Sequence, residues 1–382
     1  MNTLPPIPLR FSNSADHPRI SRRVLEPAVL WNRPAPAPRL DLSGSYDFSP
    51  FRYPSLIETQ ARVLDRFADA HLLWSDCILL DDFFHCTFFN AGHSHARSLA
   101  TREPGGEEQR ASGLGLIEDR LVIDRARLAN PIMIEEPVLA ATPNEPRHWG
   151  LFLLHSVPAL AAFAREPRRY GRLFIHPGQP NVRDMLALFG ISDADVISHD
   201  VSACYRLKDV RQLRHSHWFF YIHKSDRRIY RALAERVQRM ISPRPRRIFV
   251  SRLSHTRAGG HRGLMNEEEL INALVPLGFT VVEPELLSAA EQIATFAGAE
   301  AIIGLAGAAM FNAVFCRPGT KLLDIESNGF FVEAHANIFS SCGLDYAVLL
   351  GSIDPTDTSP YNRRWHLDID RAIPAIRGFF AI

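Results

Sequence analysis

From residue 247 onward the chain alternates apolar runs with helix-period segments, and this regularity constrains the fold more than any other feature. "RIFVSR", "FTVVEP", "EAIIGL", "KLLDIE" and "DYAVLL" each read as a buried strand. The segments between them, "NEEELINALVPLG", "SAAEQIATFAGA", "GAAMFNAVF" and "FVEAHANIFSSCG", carry apolar residues at helical spacing. Strands buried on both faces and joined by helices make a parallel, doubly wound sheet. Such a sheet binds ligands beyond the carboxyl ends of its strands. Asn266 with Glu269, and Ser288 with Glu291, have the spacing of capping boxes.

The earlier part of the chain is less regular. Residues 1–50 are rich in Pro and Arg ("NRPAPAPRLDLSG") and are expected as an extended arm. Residues 51–240 carry short strand-like runs and then, from "NEPRHWGLFLLHSVPALAAFAREP" (144–167), a helix–strand alternation. In that helix Asn144 is the expected cap, Pro146 sits in the tolerated first turn, and Pro158 predicts a bend. "RLFIH" and "DVIS" read as strands around the helix "NVRDMLALFGI". A connecting helix over 225–247 stops at Pro243, so residues 241–382 are expected as the second domain. The aromatics of "HSHWFFYIH" (215–223) read as a buried strand.

Composition excludes several classes. A formal net charge of +1 argues against a nucleic-acid partner, which needs accumulated Lys and Arg. No stretch reaches the ~20 apolar residues of a membrane span. Pro residues interrupt the first positions where a secretory signal would have its apolar core, so no export signal is expected. The 5 cysteines are widely spaced with no C-x-x-C, which suits reduced thiols in the cytoplasm. His93 and His95 have H-x-H spacing, but the sequence offers them no obvious third ligand, and no metal site is expected. In "DAD" (193–195), Ser192 and Asp193 read as cap and turn residues rather than metal ligands.

The segment "AIIGLAGAAMFNAVFCRPGTKLLDIE" (301–326) contains a small-residue turn between a strand and a helix. Backbone N–H groups at Gly307, Ala308 and Ala309 would head that helix and form an anion site. "GLAGAA" is a degenerate G-x-G-x-x-G, and Asp324 follows at about the distance of a ribose acid, so the turn suits a dinucleotide, a nucleotide sugar, or close packing alone. Arg252, at a strand end before "LSHTRAGGHRGLMNEEE", favours a diphosphate, whose charge and geometry a guanidinium fork matches. Arg257 in the same loop reads as a solvated arginine.

Residues 248–326 also resemble the conserved block of glycosyltransferase family 61, within a looser resemblance over about 130–350. Arg252, Arg262, Asn266, Glu267, Gly278, Phe279, Glu291, Gln292, Gly304, Gly307, Ala308, Asn312, Pro318 and Gly319 match its pattern in order, and "HWGLFLLHSVPAL" is similar to its upstream helix. The resemblance implies an α/β protein of GT-B-like architecture, with two Rossmann-like domains facing a central cleft. It implies an acceptor-side domain over 51–240 and a nucleotide-sugar-binding domain over 241–382. The implied activity is metal-independent, inverting transfer from a nucleotide sugar to a glycan or glycolipid acceptor, with no cofactor. Arg252, Arg262, Asn266, Gly307, Ala308, Ala309, Asn312, Asp324 and Glu326 are then the expected donor-site residues.

Two departures from the family stand out. Its turn histidine is Ala306 here, and its helix aspartate falls on His155. Imidazole can serve as the base that accepts the acceptor's proton. His155, with His148 seven residues earlier on the same expected helix face, is therefore the candidate base, and Glu135 and Glu136 are the fallback. The alternatives are a non-catalytic glycosyltransferase-like scaffold, motivated by those two replacements, and a dinucleotide-dependent oxidoreductase built on "GLAGAA". A bacterial surface-polysaccharide role would leave room for peripheral association at the inner membrane face and for a homo-oligomer.

Overall fold

The alternation read beyond residue 247 is realised as a six-stranded, wholly parallel sheet. The computed structural model describes residues 5–11, 17–36, 39–42, 46–48, 55–59, 61–86, 92–101, 106–178, 180–214, 221–242, 244–260, 262–327, 331–358 and 363–382. It divides into two compact units, Met1–Val29 with Gln60–Trp218, and Leu30–Thr59 with Phe219–Ile382.

The sheet belongs to the second unit. Its order in space is Thr280–Val282, Arg247–Val250, Ala301–Leu305, Lys321–Glu326, Asp345–Leu350 and Arg39–Asp41. Taken along the C-terminal part of the chain, that order is second, first, third, fourth, fifth, with Arg39–Asp41 added at the edge. The winding therefore reverses between Arg247–Val250 and Ala301–Leu305, and a crevice opens beyond the carboxyl ends of those two strands. Phe249, Ile303, Leu323 and Leu349 pack one face with Leu270, Leu274 and Ile376, while Ile302, Leu322 and Val348 bury the other. Burial on both faces is why these strands read as unbroken apolar runs.

Ser288 and Glu291 form the expected capping box on Ala289–Gly298. Asn266 does not cap Glu267–Leu274. Its amide instead bridges the Leu367 carbonyl and Glu269, and its Oδ1 accepts from the Leu367 N–H, tying the following segment to the helix start. The helix expected after the glycine turn is a 3-10 helix, Ala308–Phe315, in which Asn312 Nδ2 donates to the Ala309 carbonyl three residues back. The loop expected after Arg252 contains a short helix, Leu253–Arg257.

The first unit holds a ten-stranded mixed sheet. Val196–Ser198, Arg172–Ile175, Val138–Ala140 and Tyr205–Arg214 run parallel, the arrangement expected from the helix–strand alternation. Arg62–Leu72, Ile78–Leu80 and Phe83–His85 continue the sheet antiparallel, so this unit is Rossmann-like only in its parallel part. The reason lies in the connections: Ser75 and Asp81 adopt left-handed φ of 61° and 56° in tight turns, which join antiparallel strands without a crossover helix. The Pro- and Arg-rich segment expected as an arm contributes Ile20–Glu26, paired with Arg62–Leu72, to this sheet. The expected strand over 215–220 lies outside the described residues; beyond it His223 caps the helix Lys224–Gln238.

Trp149–Leu151, Phe152–Ser156 and Val157–Arg165 follow one another as a helix whose middle turn is a π turn. The Val157 N–H donates to the Phe152 carbonyl five residues back, directly before Pro158, whose ring removes the next donor. The bend expected at Pro158 thus takes the form of a wider turn on its N-terminal side. The helix starts at Trp149 with His148 as its cap, and Asn144, the expected cap, is buried in the loop before it.

Candidate functional site

At the reversal point of the second unit, Arg252 stands two residues beyond the strand Arg247–Val250. Its Nη1 donates to the Ala306 carbonyl, just past the neighbouring strand, at 2.9 Å. A buried carboxylate fixes its backbone: Glu267 Oε1 accepts from the Ser251 hydroxyl at 2.6 Å and from the Arg252 N–H at 2.8 Å. Burial, and next the charge of Arg262, lower the Arg252 pKa to about 10. Arg262 is itself lowered by burial, against the pull of Glu326. Its backbone is left-handed at φ 60°, its guanidinium lies over the Phe331 ring at 4.9 Å, and its carbonyl accepts from Trp365 Nε1 at 3.0 Å. With Ala306, Glu326, Ser327 and Trp365 it lines a small cavity. Two largely buried cations that repel one another make an environment in which an anion is favoured.

The two glycines of the turn have identifiable steric roles. A Cβ on Gly304 would meet Met310 Sδ at 2.0 Å, and one on Gly307 would meet Arg252 Nη1 at 2.1 Å. Gly307 is extended at φ 165°, so it is small because Arg252 passes over it and not because of its backbone. Ala308 and Ala309 begin the 3-10 helix beside it.

Other expected donor-site residues point elsewhere. Asn312 is fully buried and donates to Gln292 Oε1 at 2.9 Å, locking the 3-10 helix to Ala289–Gly298. Asn266 is engaged with Leu367, as described above. Asp324 and Glu326 share one side of their strand by its period of two, and both are sealed from solvent. Asp324 Oδ2 meets His335 Nδ1 at 2.5 Å and accepts from the Tyr346 hydroxyl at 3.3 Å. Glu326 Oε1 lies 3.7 Å from the same His335 nitrogen, and Oε2 accepts from the Phe331 N–H at 3.0 Å. Burial first and Asp324 second push Glu326 well above the usual carboxyl range. The His335–Asp324 spacing is that of a hydrogen bond, and donor atoms of Asp324, Glu326 and His335 all lie within 4.8 Å of one another. Of the pair, only Glu326 borders the cavity with Arg262.

In the first unit, His155 lies in the π turn and is 6% exposed. The next residue, Ser156, donates to the Ala141 carbonyl at 2.6 Å and so anchors the turn to the end of Val138–Ala140. His148 Nδ1 accepts from the Leu151 N–H at 3.1 Å, which leaves Nε2 to carry the proton of the neutral ring. A π turn holds more residues than the about 3.6 of an α turn, so a spacing of seven falls short of two turns and the expected shared stripe is broken. Glu135 and Glu136 form exposed ion pairs with Lys208 and Arg172.

Three contributions were not anticipated from sequence. Glu267 belongs to the matched pattern but had no assigned role until its contacts with Ser251 and Arg252 were seen. Thr142, His176 and His199 lie just past the carboxyl ends of three parallel strands and are hydrogen-bonded in a chain: Thr142 Oγ1 to His199 Nδ1 at 2.9 Å, and His176 Nδ1 to the His199 carbonyl at 2.9 Å. Burial lowers the His199 pKa to about 3, so it is neutral. The signal was present in "RLFIH" and in the His after "DVIS", each a strand running into histidine. The third is a metal-type cluster at His95, whose missing ligands come from a distant turn: donor atoms of Asp76, Cys77 and His95 all lie within 4.8 Å of one another.

Residues 149–323 match the family model described as Glycosyltransferase 61. The match starts just after His148 and ends just before Asp324. No curated protein matches the chain. Among the described residues no helix is long and apolar enough to cross a membrane.

Proposed function

We propose, from the match of residues 149–323 to the Glycosyltransferase 61 family model, that the protein is an enzyme that transfers a hexosyl or pentosyl group, with inversion, from a nucleotide sugar to a glycan or lipid-linked acceptor in the cytoplasm. One observation carries the reading: Arg252, held by Glu267, reaches across the reversal point of a parallel sheet to the Ala306 carbonyl, with Arg262 as a second half-buried cation. The donor diphosphate binds there, with Arg252, Arg262 and the N–H groups of Ala308 and Ala309 around it. Glu326 is the acid nearest the donor, whereas Asp324 positions His335 behind it.

In the transfer step the acceptor oxygen attacks the anomeric carbon as the bond to the diphosphate breaks. The electron pair leaves with the diphosphate, and the hydroxyl proton passes to an imidazole, with His155 first and His148 second as candidates. The guanidiniums stabilise the charge developing on the leaving group, the role a divalent cation plays elsewhere. Added magnesium or manganese should therefore leave turnover unchanged.

A binding screen of nucleoside diphosphates, nucleotide sugars and nicotinamide dinucleotides tests the reading. A nucleoside diphosphate at 100 times its Kd should stabilise the protein by about 2.7 kcal/mol. Stabilisation by a nicotinamide dinucleotide alone would replace the reading with a redox one. The replacement of the family's turn histidine by Ala306 and of its helix aspartate by His155 favours one second reading, a binding scaffold. Tight donor binding with neither hydrolysis nor transfer would establish it.

A further inference from the structure

Outside the donor site, one cluster joins side chains that are far apart in sequence and chemically suited to a common ligand. Asp76 and Cys77 lie in the tight turn after Arg62–Leu72, and His95 comes from the helix Gly92–Thr101. All three are buried, at 1%, 0% and 8% exposure. His95 Nε2 lies 3.9 Å from Asp76 Oδ1, and Cys77 Sγ lies 3.9 Å from the same oxygen. The first distance is beyond a hydrogen bond and the second is a weak one. Cys86 is a neighbour of these three, although its sulfur is not among the donor atoms that lie within 4.8 Å of one another. The hairpin register pairs Ile78 with His85, so extending it by one residue sets Cys77 opposite Cys86, which is 2% exposed.

We propose that Asp76, Cys77 and His95, with Cys86 turning in from the paired strand as the fourth ligand, form a structural site for a borderline-soft divalent cation of the zinc class. Imidazole nitrogen, thiolate sulfur and carboxylate oxygen are the donors such an ion takes, in a tetrahedral shell. Bonds of about 2.0–2.3 Å put tetrahedral donors roughly 3.3–3.7 Å apart, so the two 3.9 Å spacings to Asp76 close by about half an ångström on binding. Each thiol releases its proton to solvent as it ligates. Burial of all four side chains leaves no open coordination position for a substrate, which makes the site structural and not catalytic. The ion would fasten the turn at 74–77, the hairpin Ile78–His85 and the helix Gly92–Thr101 to one another within the first unit.

The test uses the full chain, expressed in zinc- or cobalt-supplemented medium and purified without chelator. Elemental analysis should find about one zinc per chain, and the cobalt form should show thiolate-to-metal charge transfer with the intense visible bands of a tetrahedral ion. Cys77→Ser and His95→Ala should each lower the metal content to below about a tenth of that, with loss of the thiolate band in Cys77→Ser. If these variants do not fold, the wild-type cobalt spectrum decides. A folded wild-type chain that holds no stoichiometric metal and gains no charge-transfer band on cobalt titration overturns the proposal. So does metal bound equally by both variants, or a Cys77–Cys86 disulfide found by thiol counting. Strong chelation should act on the folding of this unit, a readout independent of donor binding.

Discussion

Replacing Arg252 by Ala should weaken nucleoside-diphosphate binding by about 2–3 kcal/mol, the range for charge-assisted hydrogen bonds to a buried partner, or roughly 30- to 150-fold in Kd. The structure gives the reason for the size. Burial and Arg262 bring Arg252 down to about 10 from 12.5. At about 1.4 kcal/mol per unit, the charged side chain is held at a cost on the order of 3 kcal/mol, which an anion between the two guanidiniums offsets. The same accounting predicts that the unliganded variant loses little stability. It gives up the 2.9 Å bond to the Ala306 carbonyl but also a desolvated cation facing a like charge. Arg252→Lys should fall between the two, because it keeps the charge and loses the fork. Calorimetric titration with nucleoside diphosphates, alongside thermal unfolding of the free proteins, reads both effects. A Kd for Arg252→Ala within twofold of wild type would place the diphosphate elsewhere and refute the reasoning.

Gly307→Ala should resemble Arg252→Ala in diphosphate binding, because the added Cβ would sit 2.1 Å from Arg252 Nη1 and must displace the guanidinium; unchanged binding by titration would show that Arg252 moves without consequence. Glu326, raised by burial and by Asp324, keeps in the folded state a proton that the unfolded chain loses near ~4.3, so stability falls as pH rises from that value through the folded one. Glu326→Gln should flatten that slope and raise stability at neutral pH, and denaturant titrations giving an unchanged slope would contradict it. His155→Ala should bind donor as wild type yet turn over ~10²–10⁴-fold more slowly. Full turnover would make His155 structural and move the search to His148.

What the sequence determined by itself is local. The strands Ala301–Leu305, Lys321–Glu326 and Asp345–Leu350 and the Ser288–Glu291 cap were legible because apolar period and cap spacing are set by neighbours a few residues apart. Arg252 was legible too, as a cation at a strand end. Tertiary structure alone decided what depends on residues distant in the chain. It set the strand order that puts the reversal point between Val250 and Leu305, and so brought Arg252 to Ala306. It turned Asn312 toward Gln292, Asn266 toward Leu367 and Asp324 toward His335, because a buried polar group needs its partners and those partners come from other elements. It widened the helix into a π turn before Pro158, which moved His155 off the stripe that α-helical spacing predicts. It also brought Asp76 and Cys77 beside His95, across a separation that no motif spacing encodes.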